Sequence, residues 1–527
     1  MNPKQICARF EALFSDRKVT EQTWDYIERF VYPLGGGKFF EDNRHEGSID
    51  WRRRNIYDDT AINGADTLAA SIHGSLMSPA SVWFGFIFQN DALNNDNTAK
   101  AWLDSCSAIT WDAIQNSNFN TEIPESMLDL VSFGHAFITQ DEEDDLVFDG
   151  IKFDSIPLKE AYFEEDKDGR ILNFYRKLQW RPTKIIDKFG EDAVPDKIKT
   201  LAKGNNDKQD VIFCVYKNKS HDGSKGIQTP ENRPYRYSYV LKDGHHLLKE
   251  GGRYFMPVYG PRWRRTVGSQ WGYGPGHLSI SSVLTLNEML KLTLESAEKV
   301  IDPVTLVRER GLLSSIDLRA GGVVALKDPD KDIKAYESGA RFDVSAVKAE
   351  ELRHMINRTF KVDQLELKES PAMSATEVMV RYELMNRLLG PTMGRLQNDL
   401  LDPLVSNTFD TLMRQKQFPD MPDSVAEEGD IVIQYVGPLS RAQKSDEVAA
   451  VERWLGMLGA MAEQFPEMKH IPEPLQVAQY VREGLNIPAT LQRNEGDFNG
   501  KVKEEKEMQE QIIQAQLGAA NGPDNAG

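Results

Sequence analysis

The stretch Gly268-Ser269-Gln270-Trp271-Gly272-Tyr273-Gly274-Pro275-Gly276 opens the part of the chain that decides its architecture. Four glycines and a proline in nine residues read as a rigid turn. After it, Leu278, Val283, Leu286, Leu290, Leu294, Ala297 and Ile301 recur at helical spacing, which predicts one long helix over 277–301. Asp302-Pro303 ends that helix, because proline cannot donate to it. Residues 304–307, 323–326 and 333–336 are short strand-like runs, separated by glycines and Asp328-Pro329. Residues 344–360 then read as a second helix. Two helices flanking a small β-containing insert make an antiparallel stalk with a tip.

Working outward, residues 20–32 place Trp24, Ile27, Phe30 and Val31 on a helix that Pro33 and Gly35-Gly36-Gly37 stop. Further helices are expected over 59–76, 97–116 and 124–133. The pattern then changes to β-like runs at 136–139, 171–180 and 211–217. Beyond the stalk, a polar linker over 361–373 precedes a very long helix, 375–417. Gly390-Pro391 and Asp402-Pro403 break it. Residues 431–436 read as a strand, and 446–465 and 475–483 as helices. Residues 500–516 are rich in Glu, Lys and Gln, and 518–527 have a disordered composition. The fold class is α+β, mainly helical.

The chain has 527 residues, too many for one compact core. Its 81 Asp and Glu outnumber 63 Lys and Arg, a net charge of −18, so it has no general attraction for nucleic acid or anionic membranes. Cys7, Cys106 and Cys214 lie too far apart in sequence for a disulfide framework or a local metal clamp, which points to a reducing compartment. The start of the chain has no apolar core of the kind a signal peptide needs. The uncharged stretch 67–90 contains too many polar and helix-breaking residues for a membrane span and reads as a buried helix followed by a strand. No phosphate loop is present: Gly35-Gly36-Gly37-Lys38 is followed by Phe39. Gly272, Gly274 and Gly276 imitate a dinucleotide fingerprint, but Pro275 interrupts them outside any βαβ context. No catalytic residue, metal site or cofactor is indicated. Histidines such as His73, His135 and His354 read as packed or solvated. The acidic run 141–145 reads as a hairpin tip, the rival being a metal-dependent nucleic-acid enzyme.

The ordered set of punctuating residues resembles the portal (head-to-tail connector) proteins of short-tailed bacteriophages. It begins at Trp24 and Pro33, then Ile56-Tyr57-Asp58-Asp59-Thr60-Ala61, Leu68-Ala69-Ala70, Met77-Ser78-Pro79 and Trp83-Phe84. It continues through Phe133-Gly134, Glu165-Asp166, Gly169, Pro261-Arg262-Trp263 and Tyr273-Gly274-Pro275-Gly276. It ends at Ser374-Ala375-Thr376-Glu377-Val378, Leu389-Gly390-Pro391 and Arg395-Leu396. No single piece is specific; the order over about 20–400 is. A different head–tail ring is the nearer alternative, but such adaptors are usually shorter.

The resemblance implies a twelve-subunit ring at one capsid vertex of the virion, assembled in the host cytoplasm. It divides the chain into a wing (1–273), first stem helix (274–303), clip (304–342), second stem helix (343–360) and tunnel loop (361–374). A kinked wing helix with a return strand (375–440), a helical crown (441–516) and a disordered tail (517–527) follow. It implies a tunnel loop carrying Lys361, Asp363, Gln364, Glu366, Lys368 and Glu369 towards the DNA channel. It implies a clip whose Arg308, Arg310, Arg319, Asp328 and Lys331 dock the motor and adaptor. Implied partners are further copies of the chain, the terminase large subunit, tail adaptors, major capsid and scaffolding proteins, and double-stranded DNA in transit, with no membrane. An acidic wall suits a conduit, because many cationic contacts to phosphates would hold the duplex instead of letting it slide.

Overall fold

The computed structural model describes residues 1–33, 55–79, 81–90, 93–94, 96–142, 150–204, 207–222, 229–301, 305–307, 333–335, 342–365, 389–423, 430–435, 438–462 and 474–484, with a few isolated positions besides. The chain starts with α1 (Pro3–Phe30), far longer than the sequence reading of 20–32. An Asn2/Gln5 capping box and Pro3 in the first turn start it. Its N-terminal half carries Ile6, Cys7 and Phe10, all buried. Next come α2 (Thr60–Leu76), strand β1 (Phe84–Phe88), α3 (Asn97–Gln115) and α4 (Phe119–Phe133). The uncharged 67–90 stretch is thus a helix followed by a strand. Helix α4 starts five residues before the proline that the sequence suggested as its start. Pro124 sits inside it and gives up one backbone hydrogen bond.

The β region contains β2 (Phe137–Glu142), β3 (Ile151–Ile156), β4 (Ala161–Glu165) and β5 (Ile171–Trp180). Helices α5 (Pro182–Phe189) and α6 (Asp196–Lys203) follow, then β6 (Gln209–Lys217), β7 (Tyr235–Leu241), β8 (His246–Arg253) and β9 (Val258–Tyr259). Strands β4 to β8 form one antiparallel sheet in sequence order, and β3-β2-β9 form another. Alternation along β6 sends Ile212, Cys214 and Tyr216 to α1, and Val211 and Phe213 to α5 and α6. The acidic run begins at the end of β2, where Asp141 faces Lys152 across the hairpin and its carboxylate meets Arg253 at 2.5 Å.

Strands β10 (Arg265–Thr266) and β11 (Ser269–Gly272) form a hairpin that leads into α7 (Pro275–Ile301). Strand β12 (Thr305–Val307) pairs antiparallel with β13 (Ile333–Ala335). Helices α8 (Phe342–Thr359) and α9 (Val362–Leu365) come next, and residues 389–396 are helical. A π-helical turn, Gln397–Leu401, precedes α10 (Asp402–Arg414), so the expected break at Asp402-Pro403 takes the form of a local π turn. Strand β14 (Ile431–Tyr435) pairs with β1, across more than 340 residues of chain. Helices α11 (Pro438–Ala462) and α12 (Pro474–Gly484) follow. No helix among the described residues is long and apolar enough to cross a membrane.

One core contains α2, α3, α4, β1 and the lower halves of α7 and α8. Carboxylates crowd at its edge. Burial, then Glu125 and Glu28, holds the Asp129 carboxyl well above its ordinary value of 3.8; burial and Glu125 raise Asp66 as well. The Tyr32 hydroxyl donates to Glu125 at 3.0 Å. A carboxyl raised on folding favours the folded state while protonated, so its contribution falls as pH rises above the unfolded value. Asp129→Asn is therefore expected to raise the unfolding midpoint at pH 7.5 by about 2–4 °C. The gain should vanish near pH 3, as scanning calorimetry across that range would show.

Candidate channel and docking segments

Helices α7 and α8 lie antiparallel. The Thr293 and Ser345 hydroxyls are 2.6 Å apart towards the outer end, while Leu278 and Ser282 share a cavity wall with Met355 and Thr359 at the base. The base is anchored to the body. Asn287 accepts from the Tyr57 amide at 2.8 Å and donates to the Asn55 carbonyl at 2.7 Å. Arg353 donates to Asp58 at 2.9 Å. Phe360 packs against α2 at Gly64, where a Cβ would come within 3.1 Å of the ring.

The outer half of this two-helix stalk is different. Val283 and Leu286 are buried, but Leu294 and Ile301, which the sequence placed on the same apolar row, are 56% and 83% exposed. That row leaves the body beyond Leu290 and finds little to pack on among the described residues. Leu292, Val300 and Val347 are exposed there too.

The paired β12 and β13 lie between the two stalk helices in sequence, where the first and last strands of the insert were expected. The expected strand over 323–326 lies outside the described residues, as do Arg308, Arg310, Arg319 and Lys331. Asp328 is half-buried. The linker after α8 starts later than the sequence suggested. Lys361 takes φ 62°, which turns the chain, and 362–365 form one further helical turn against α2. Val362 is buried, whereas Asp363 and Gln364 are exposed. Val362 and Leu365, one turn apart in a four-residue helix, are too few to give a periodic signal. Glu366, Lys368 and Glu369 lie outside the described residues.

The glycines before α7 serve packing. A Cβ on Gly272 would lie 1.9 Å from the Gly134 carbonyl oxygen, and one on Gly276 would lie 2.1 Å from the Ser132 carbonyl oxygen. Gly134 itself has φ 75°. The end of α4 and the start of α7 therefore touch backbone to backbone, leaving no hollow for a phosphate. His135 is fully buried beside Phe137, and burial, then Arg262, holds its ring neutral. His354 is exposed near Glu350, and His73 is half-buried. Among the described residues no three His, Cys, Asp or Glu side chains are grouped to hold a metal ion, and the three cysteines are buried and free.

Comparison with known families adds an independent finding to this anchored two-helix stalk with a β tip. The model of the bacteriophage head to tail connecting protein family matches residues 3–491. The chain belongs to that family. Among relatives of this connector-family chain is the probable portal protein of Bordetella phage BPP-1, 26% identical over 480 residues, covering 88% of this chain and 84% of that one. Another is the portal protein of Salmonella phage epsilon15, 23% identical over 527 residues and covering 97% and 92% of the two chains. The resemblance read from the punctuating residues thus holds over most of the sequence. The chain is a phage head–tail structural protein.

Proposed function

We propose that the chain is the portal subunit of a phage head. Twelve copies form a closed ring at one capsid vertex, and the ring is the channel through which a terminase motor packages double-stranded DNA. The same channel releases the genome at ejection and carries the tail. The clip docks the terminase large subunit first and tail adaptors later, and the wing meets capsid and scaffolding proteins. The loop over 361–374 forms the channel constriction, and the role is structural, not enzymatic. The observation that carries this reading is the outer stem. Leu292, Leu294, Val300, Ile301 and Val347 are exposed on more than one side of a two-helix stalk. A lone subunit does not sustain such a surface, and neighbours in a heterologous, closing interface cover it.

The test is direct. Purified protein should give closed rings with a central hole by negative-stain electron microscopy, and one discrete high-mass oligomer by native mass spectrometry. A stable monomer at micromolar concentration overturns the reading.

A further inference from the structure

Between the base of α7 and the end of α8 lies a cavity of about 470 Å³, with Arg264, Arg358 and Lys361 in its walls beside Trp263, Leu278 and Met355. None of these three cations has a side-chain ion-pair or hydrogen-bond partner among the described residues. In a chain with 18 more acidic than basic groups, three such cations around one hollow call for a counter-charge. The occupant must also cover apolar surface, since Leu278 is 51% and Met355 56% exposed. Duplex phosphates would neutralise the cations and leave both apolar side chains in water.

The far flank of α7 offers both features. At about 100° per residue, Glu298 lies roughly 160° around the helix from Ser282, which lines the cavity. Leu294, 56% exposed, shares the Glu298 side, and Glu295 adjoins it. Glu295 and Glu298 have no ion-pair partner among the described residues. They are three residues apart in sequence, as are Arg358 and Lys361. A heterologous ring brings one flank of each subunit against a different flank of the next.

We infer that the cavity at the stem base receives the Leu294, Glu295 and Glu298 face of α7 from a second copy of the chain. This rests on the ring reading above and names the surfaces that close it. Ser282 and Glu298 are separated by about 24 Å along the helix, so adjacent stems lean across one another instead of standing upright. Pairing the charges sets the register of the contact, and the leucine and methionine side chains exclude water from it.

Two experiments on the full chain test the contact. Arg358→Cys combined with Glu298→Cys should give, on oxidation, a ladder of covalent multimers on non-reducing gels that neither single variant gives. The native cysteines are buried and do not confuse the result. Arg358→Glu should weaken ring assembly at least tenfold by native mass spectrometry, and adding Glu298→Arg should restore much of it. No ladder, together with normal rings from Arg358→Glu, overturns the inference even if genome retention changes. In that outcome the ring reading stands, whereas a wild-type chain that forms no ring overturns the ring reading itself.

Discussion

Gly272→Ala is expected to leave almost no folded protein. The new methyl carbon would sit 1.9 Å from the Gly134 carbonyl oxygen, and that oxygen already accepts the Trp263 amide at 2.9 Å. Neither side can yield. Gly134 is held at φ 75° with its own Cβ position 2.5 Å from the Gly274 nitrogen, and Gly272 is paired with Arg265. Moving β11 away would pull Trp271 from its edge-on contacts with Trp24 and Phe163, at 4.9 and 5.1 Å. A loss of more than about 4 kcal/mol follows, at the far end of what one substitution does. The measurements are soluble yield and the unfolding midpoint. Gly456→Ala is the control, since it lies in α11 with open space around it, and it should be neutral or stabilise by up to about 1 kcal/mol. Normal folding of Gly272→Ala would show that the α4–β11 contact has slack, contrary to this packing.

Arg17→Met should detach α1 from the five-stranded sheet. The Arg17 side chain is 1% exposed and donates to the carbonyls of Leu158, Lys159 and Ala161 at 3.0, 2.8 and 2.7 Å. It also donates to the Tyr162 hydroxyl at 2.6 Å and lies 3.7 Å over that ring. Glu21 accepts its Nε proton. Methionine fills similar volume and leaves these acceptors without a donor. Each orphaned acceptor costs about 1–3 kcal/mol, and their shared donor makes a total near 3–5 kcal/mol reasonable. Arg17→Lys should recover little, because an ammonium cannot reproduce the planar fork that reaches several acceptors at once. Hydrogen exchange would read the effect as lost protection in residues 3–20 and along β4, with α7 and α8 unchanged. Full protection in the methionine variant would mean that Phe10 and Ile6 alone hold the helix down.

The stalk was legible from residue order alone. Helical spacing from Leu278, the Asp302-Pro303 stop, and glycine-separated short strands are local signals, because period and turn chemistry depend only on neighbours in sequence. β5 falls on 171–180 and α3 within one residue of its expected end for the same reason. The ordered punctuating residues gave the family as well, since many weak signals in a fixed order add up. What needed the tertiary structure were contacts between distant segments. The glycines 272, 274 and 276 read as a turn, yet a backbone from residues 131–134 explains their lack of side chains. The first half of α1 looked featureless because its apolar stripe is short, and its partner, the face of β6, lies about 200 residues away. Leu294 and Ile301 continue the period of Leu286 and Leu290, so sequence placed all four on one apolar row. Only the position where α7 leaves the body decides which of them are covered. Periodicity reports which side of a helix is apolar, whereas burial depends on what stands opposite.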